Sequence, residues 1–145
     1  MKIVMAIVDE LNNNLLDTYF DKIIITGNFI KVYNKNKIGL YNLISFNKIL
    51  DCIWDYITIH PQGILVASNS TFGFFSLDGK KVLNCEWDKI KVTPNGLIVY
   101  SNNKQGFYNY NGICIFECSY RNIEVYSKAI VAFKNKKRYV YNIFH

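Results

Sequence analysis

The chain has 145 residues, half of them apolar and 16% aromatic, and carries a formal charge of +6. That balance excludes a disordered chain, which lacks the apolar surface to offset ordering entropy, and the length suits a single domain, 1–145, with a buried core. Four cysteines without a Cys-x-x-Cys pair exclude a disulfide scaffold and disfavour a zinc site, and no apolar run approaches a membrane span, so the expectation is a cytoplasmic protein with reduced thiols.

In chain order, MKIVMAIVDE (1–10) is a short apolar run cut off by Asp9 and Glu10, too short for a secretory leader. ELNNNLLDTYF (10–20) is expected as a helical turn or an irregular loop, so that 1–19 forms an N-terminal strand and loop. From residue 20 the chain repeats. FDKI (20–23), WDYI (54–57), WDKI (87–90) and YRNI (120–123) follow one another at steps of 34, 33 and 33 residues. Gly39, Gly73, Gly106 and Tyr139 keep the same steps, and Cys52, Cys85 and Cys118 are spaced by 33. The units run over about 20–53, 54–86, 87–119 and 120–142.

Each unit reads as short strands separated by turn chemistry. In the second they are YITIH (56–60), GILVAS (63–68), TFGFFS (71–76) and KKVLNC (80–85), separated by PQ, NS and LDG. Alternation places Ile23/Ile25, Ile57/Ile59, Ile90/Val92 and Ile123/Val125 inward. The fourth unit stops after RYVYN (138–142), and KIVMAI (2–7) can be laid over the missing strand. The predicted fold is therefore all-β. Four tandem antiparallel units of about 33 residues form a small propeller-like ring closed by the N-terminal strand, with an open β superhelix as the alternative.

FGFFSLDGKKVLNCEWDKI (72–90) resembles a full unit of the WG-repeat (KWG-type) proteins, and QGFYNYNGICIFECSYRNI (105–123) and IGLYN to CIWDYI (38–57) match more loosely. The resemblance spans roughly 20–142 and is carried by the periodic pattern. The Trp-Gly pair itself is absent: Ile38, Phe72, Gln105 and Arg138 precede the glycine position. The resemblance implies a bacterial or phage-type interaction protein with no catalytic residues to carry over.

Cys52, Cys85 and Cys118 share a face with Leu50, Leu83 and Phe116, and read as small buried core residues rather than metal ligands. His60 falls at a strand end and is expected to face solvent; His145 is the last residue. Asp21, Asp55 and Asp88 recur at unit junctions, where a carboxylate accepts local backbone N–H groups, with Arg121 in the fourth unit. Tyr41, Tyr108 and Tyr141 are expected as core or half-core. No nucleophile–base arrangement is present, so the reading is non-enzymatic, with no cofactor and no metal.

The one candidate surface is a basic turn rim of Lys35, Lys37, Lys104, Lys134, Lys136, Lys137 and Arg138, beside the turn between second and third strands. Tyr33, Tyr100, Phe133 and Tyr139 are interleaved for stacking, and junction carboxylates are expected to neutralise part of the rim. The function read from these features is a non-catalytic binding module, foremost for another protein, in the manner of a phage or bacterial inhibitor or accessory protein. The alternatives are polyanion or nucleic-acid binding through the rim, and a small-ligand or carbohydrate pocket lined by Trp54, Trp87 or tyrosines.

Overall fold

Short apolar runs punctuated by residues that tolerate positive φ fold as antiparallel hairpins. A computed structural model describes residues 3–16 and 18–143, and among them shows fifteen strands in four antiparallel sheets and no helix. Lys2 and His145 lie outside the described residues. The chain divides into two compact units, Met1–Ile57 and Thr58–His145.

In the first unit β1 (Lys22–Thr26), β2 (Phe29–Asn34), β3 (Lys37–Asn42) and β4 (Lys48–Trp54) form a sheet in sequence order. The described residues among 10–20 form turns and isolated bridges, with no helix. The N-terminal segment does not take the place expected of it: Met5 bridges Phe20 and Val8 bridges Asn14. Leu16 and Phe20, both buried, pack with Ile30 and Val32 of β2. The apolar side chains of the loop thus cover one face of the first sheet. Ile25, expected inward, is 57% exposed.

The second sheet is β5 (Tyr56–His60), β6 (Gly63–Ser68), β7 (Thr71–Phe75) and β8 (Lys81–Trp87). The third is β9 (Lys89–Thr93), β10 (Gly96–Ser101), β11 (Lys104–Tyr108) and β12 (Cys114–Tyr120). The last has only three strands among the described residues: β13 (Asn122–Val125), β14 (Ala129–Lys134) and β15 (Lys137–Asn142). In the second unit the cores lie between successive sheets. Leu97 and Val99 of β10 pack with Phe74, Leu83 and Ile90, while Ile98 between them packs with Phe107, Ile123, Ile130 and Ala132. A strand apolar on both faces is one that separates two packed layers.

The turn between second and third strands of every repeat is a two-residue hairpin with both φ positive. The pairs are Lys35–Asn36, Asn69–Ser70, Asn102–Asn103 and Asn135–Lys136, the geometry that matches strand twist. Between the third and fourth strands the ladder is bulged. From Ile38 to Leu40 on β3 the partner strand runs from Trp54 to Leu50, and β7–β8 and β11–β12 repeat the shift.

The repeated cysteine sits in that bulge and is half-buried rather than part of the closed core. Its thiol lies 3.2 Å from the Lys37 carbonyl in the first sheet, 3.2 Å from that of Thr71 in the second and 3.3 Å from that of Lys104 in the third. Each contact ties the bulge to the start of the third strand.

Candidate functional site

Junction residues set the electrostatics at the turn end of each sheet. Asp21 accepts the Lys35 N–H at 2.9 Å, and Asp88 accepts the Asn102 N–H at 3.1 Å. The junction carboxylate thus caps the hairpin turn and holds a negative charge beside it. Lys37 forms an ion pair with Asp55. In the fourth repeat the equivalent junction residue is Arg121, whose own N–H still donates to the Phe133 carbonyl at 2.9 Å, as Asp88 N–H does to Tyr100. The same backbone bond recurs at Asp21, Asp88 and Arg121, while the charge of the junction side chain is inverted in the fourth repeat.

A cavity of about 500 Å³ lies at the turn end of the fourth sheet, lined by Arg121, Asn122, Phe133, Lys136 and Arg138 among others, with Glu124 as its one carboxylate. Glu124 accepts the Tyr126 hydroxyl at 2.7 Å. Lys134 is held at the margin, donating to Ser119 Oγ at 3.2 Å and lying 5.3 Å over the Tyr120 ring. Lys136, Lys137 and Arg138 are exposed.

Of the seven basic residues of the expected rim, the structure brings together Lys134, Lys136, Lys137 and Arg138. Lys35 and Lys37 belong to the other compact unit, and Lys104 does not line the cavity. Arg121 was not among the expected site residues. Its signal was present as the single departure from aspartate in the junction series.

The aromatic residues are largely engaged. Lys22 lies 5.2 Å over the Tyr33 ring and Lys89 5.1 Å over Tyr100, cation–π contacts that occupy those faces. Tyr139 meets Tyr120 edge-on at 5.7 Å, leaving Phe133 as the aromatic that lines the cavity. Tyr141 is exposed rather than half-core.

His60 does not face solvent as expected: its Nε2 is buried and has no hydrogen-bond partner, as is the Trp87 indole N–H. Trp87 borders a smaller cavity of about 240 Å³ with Lys81, Asn84, Glu86 and Tyr108. A further cavity of about 500 Å³ lies over Val92, Ile98, Ile123 and Val125. Burial pushes the Cys52 and Cys118 thiols up from their ordinary range. Among the described residues no group of three or more His, Cys, Asp or Glu is placed to hold a metal ion, and no helix is long and apolar enough to cross a membrane.

No protein-family model matches the chain, and no curated protein matches it. Among solved structures it is similar to Hsv2 of Kluyveromyces lactis, at 14% identity and a TM-score of 0.39, over 79% of this chain and 42% of that one. It is similar also to Hsv2 of Kluyveromyces marxianus, at 14% identity and a TM-score of 0.41, over 99% and 55% of the two chains. A form of the K. lactis protein with loop 6CD replaced by a Gly-Ser linker gives 12% identity, a TM-score of 0.40 and coverage of 80% and 45%. The chain thus spans about half the length of these structures or less.

Proposed function

We propose that the protein is a non-catalytic binding module for another protein, and that the turn end of the fourth sheet recognises an acidic stretch of that partner. The observation that carries this reading is Arg121 in the junction position that Asp21 and Asp88 hold in other repeats. It converts a self-neutralised turn into a cluster with Lys136, Lys137 and Arg138 around Phe133. Such a patch steers acidic partners by charge and offers an apolar floor for contact.

The same cations favour a second reading, a polyanion such as nucleic acid, although lysines already cover Tyr33 and Tyr100, which base stacking would use. Retention of the full chain on immobilised poly-L-glutamate and on heparin tests both. The protein reading expects retention on poly-L-glutamate at low salt, eluted by salt and lost when Lys136, Lys137 and Arg138 are all replaced by Gln. Retention on heparin alone selects the polyanion, and retention on neither overturns the cationic site.

A further inference from the structure

The last sheet differs from the other three at its outer edge. In the complete sheets the third strand is covered by a fourth, and the residue after the repeat glycine is fully enclosed: Leu40 and Phe74 are 0% exposed and Phe107 is 1% exposed. Val140, the equivalent residue of β15, is 58% exposed, and every residue of β15 is exposed. Among the described residues β15 has one neighbour, β14.

The backbone of β15 is set to accept a strand there. The turn at Asn135–Lys136 closes on the pair Lys134–Lys137, and the ladder continues through Ala132–Tyr139 and Ile130–Tyr141. Antiparallel pairs alternate between hydrogen-bonded and non-hydrogen-bonded. Lys137, Tyr139 and Tyr141 therefore bond to β14, while Arg138 and Val140 direct N–H and C=O to the open side. Their counterparts Ile38 and Leu40, Phe72 and Phe74, and Gln105 and Phe107 are the residues that pair with the fourth strands.

The edge is also closed to the chain's own kind of fourth strand. That strand bulges over the repeat glycine, and a Cβ built on Gly39 would lie 2.9 Å from Cys52 Cα. On Gly106 it would lie 2.7 Å from the Cys118 N. Position 139 carries a tyrosine, whose Cβ and ring exclude such a bulge. A swapped β4, β8 or β12 from a second copy meets the same obstacle, and two chains each carrying +6 repel one another.

We infer that β15 is a strand-addition site, at which an extended, acid-ended segment of a partner protein pairs antiparallel with Arg138 and Val140 as an unbulged strand. This rests on the protein-binding reading above and adds its mode. In the other sheets the C-terminal end of the fourth strand lies at the turn, as the Ile38–Trp54 pairing shows. An antiparallel guest therefore brings residues following its strand to Arg121, Lys136 and Arg138. Main-chain bonds supply affinity and the acidic end supplies register. An uncovered strand of this kind is otherwise an aggregation hazard, and Lys137 and Arg138 on it hold off non-acidic strands.

The test uses the full chain and the blocked peptide Thr-Val-Thr-Val-Thr-Asp-Asp-Asp. Three comparisons accompany it: the same peptide with both valines replaced by proline, the same peptide with alternate backbone amides N-methylated, and the Val140→Pro variant. Proline at 140 removes an outward N–H and leaves the β14 ladder intact, as edge positions allow. Strand addition expects slowed amide exchange at Arg138 and Val140 on binding, and at least tenfold weaker binding in each comparison. It expects unchanged retention of Val140→Pro on poly-L-glutamate.

Equal binding of the proline or N-methylated peptide overturns strand addition while leaving charge-driven recognition standing. A wild-type chain retained on poly-L-glutamate that does not bind the peptide overturns it too. Loss of a dimer in Val140→Pro overturns the foreign partner in favour of a second copy. Absence of poly-L-glutamate retention by the wild type strikes the underlying reading instead. The methylated peptide keeps the test decisive if the proline variant does not fold.

Discussion

A Cβ placed on Gly73 would come within 2.9 Å of Cys85 Cα and 3.1 Å of the Leu83 carbonyl oxygen. These are backbone atoms and cannot rotate away. Gly73→Ala therefore forces β8 off β7 and takes the Cys85 thiol from the Thr71 carbonyl. The expected cost is about 2 kcal/mol, the scale of overpacking in a closed site. It should appear as a lower midpoint in urea unfolding, and Tyr139→Ala, with no fourth strand above it among the described residues, should change the midpoint far less. Equal effects at the two positions would sink the account of the bulge.

The junction carboxylate gives a second expectation. Asp88 holds the Asn102 N–H at the start of a turn with two positive-φ residues. Asp88→Ala removes that acceptor and should cost about 1 kcal/mol, the usual worth of one such bond. Arg121→Asp restores the acid to the fourth repeat. It should leave stability near the wild-type value and reduce retention on poly-L-glutamate. If Arg121→Asp leaves retention unchanged, Arg121 has no part in the cationic surface.

The periodic positions were legible because they report local backbone demands. A glycine every 33 or 34 residues marks the close approach of two strands, and paired Asn, Ser or Lys mark the positive-φ hairpins. What alternation alone could not supply was the bulge. Because β4, β8 and β12 slip against their neighbours, period-two counting misjudges how deeply Cys52 and its equivalents sit. The N-terminal strand was misplaced for a different reason: its apolar residues suit any sheet, and nothing in their order says that Leu16 and Phe20 would cover Ile30 and Val32. Four of the five cations of the basic cluster were visible in KNKKR (134–138). Arg121 needed the repeat alignment to be read for its exception as well as for its rule.

The thiols should separate by reactivity. Cys114 is exposed, whereas Cys52 and Cys118 are half-buried and burial raises both above the usual thiol range. The thiolate is the nucleophile, so iodoacetamide at mildly alkaline pH should modify Cys114 first, with Cys52 and Cys118 following only on denaturation. Peptide mapping of a time course reads this directly. Early labelling of Cys52 would mean that the first sheet opens more readily than its bonded bulge allows.

Alkaline pH should weaken the second unit through its tyrosines. Tyr110 packs its ring 5.8 Å from Phe74 and donates its hydroxyl to the Thr93 carbonyl. Burial pushes it up from an ordinary 10.0 to about 12, and Tyr108 is likewise raised to about 12 by burial. A raised folded value means that the folded chain keeps these protons after the unfolded chain has lost them. Below pH 10 both states are protonated and there is no pH dependence from this source. Between about pH 10 and 12 the unfolded state binds fewer protons, so stability falls as pH rises. Urea midpoints across that window should decline, and Tyr110→Phe should flatten the decline while lowering stability at neutral pH by about 1 kcal/mol for the lost bond to Thr93. A Tyr110→Phe variant whose alkaline decline matches the wild type would show that its hydroxyl titrates freely in the folded chain.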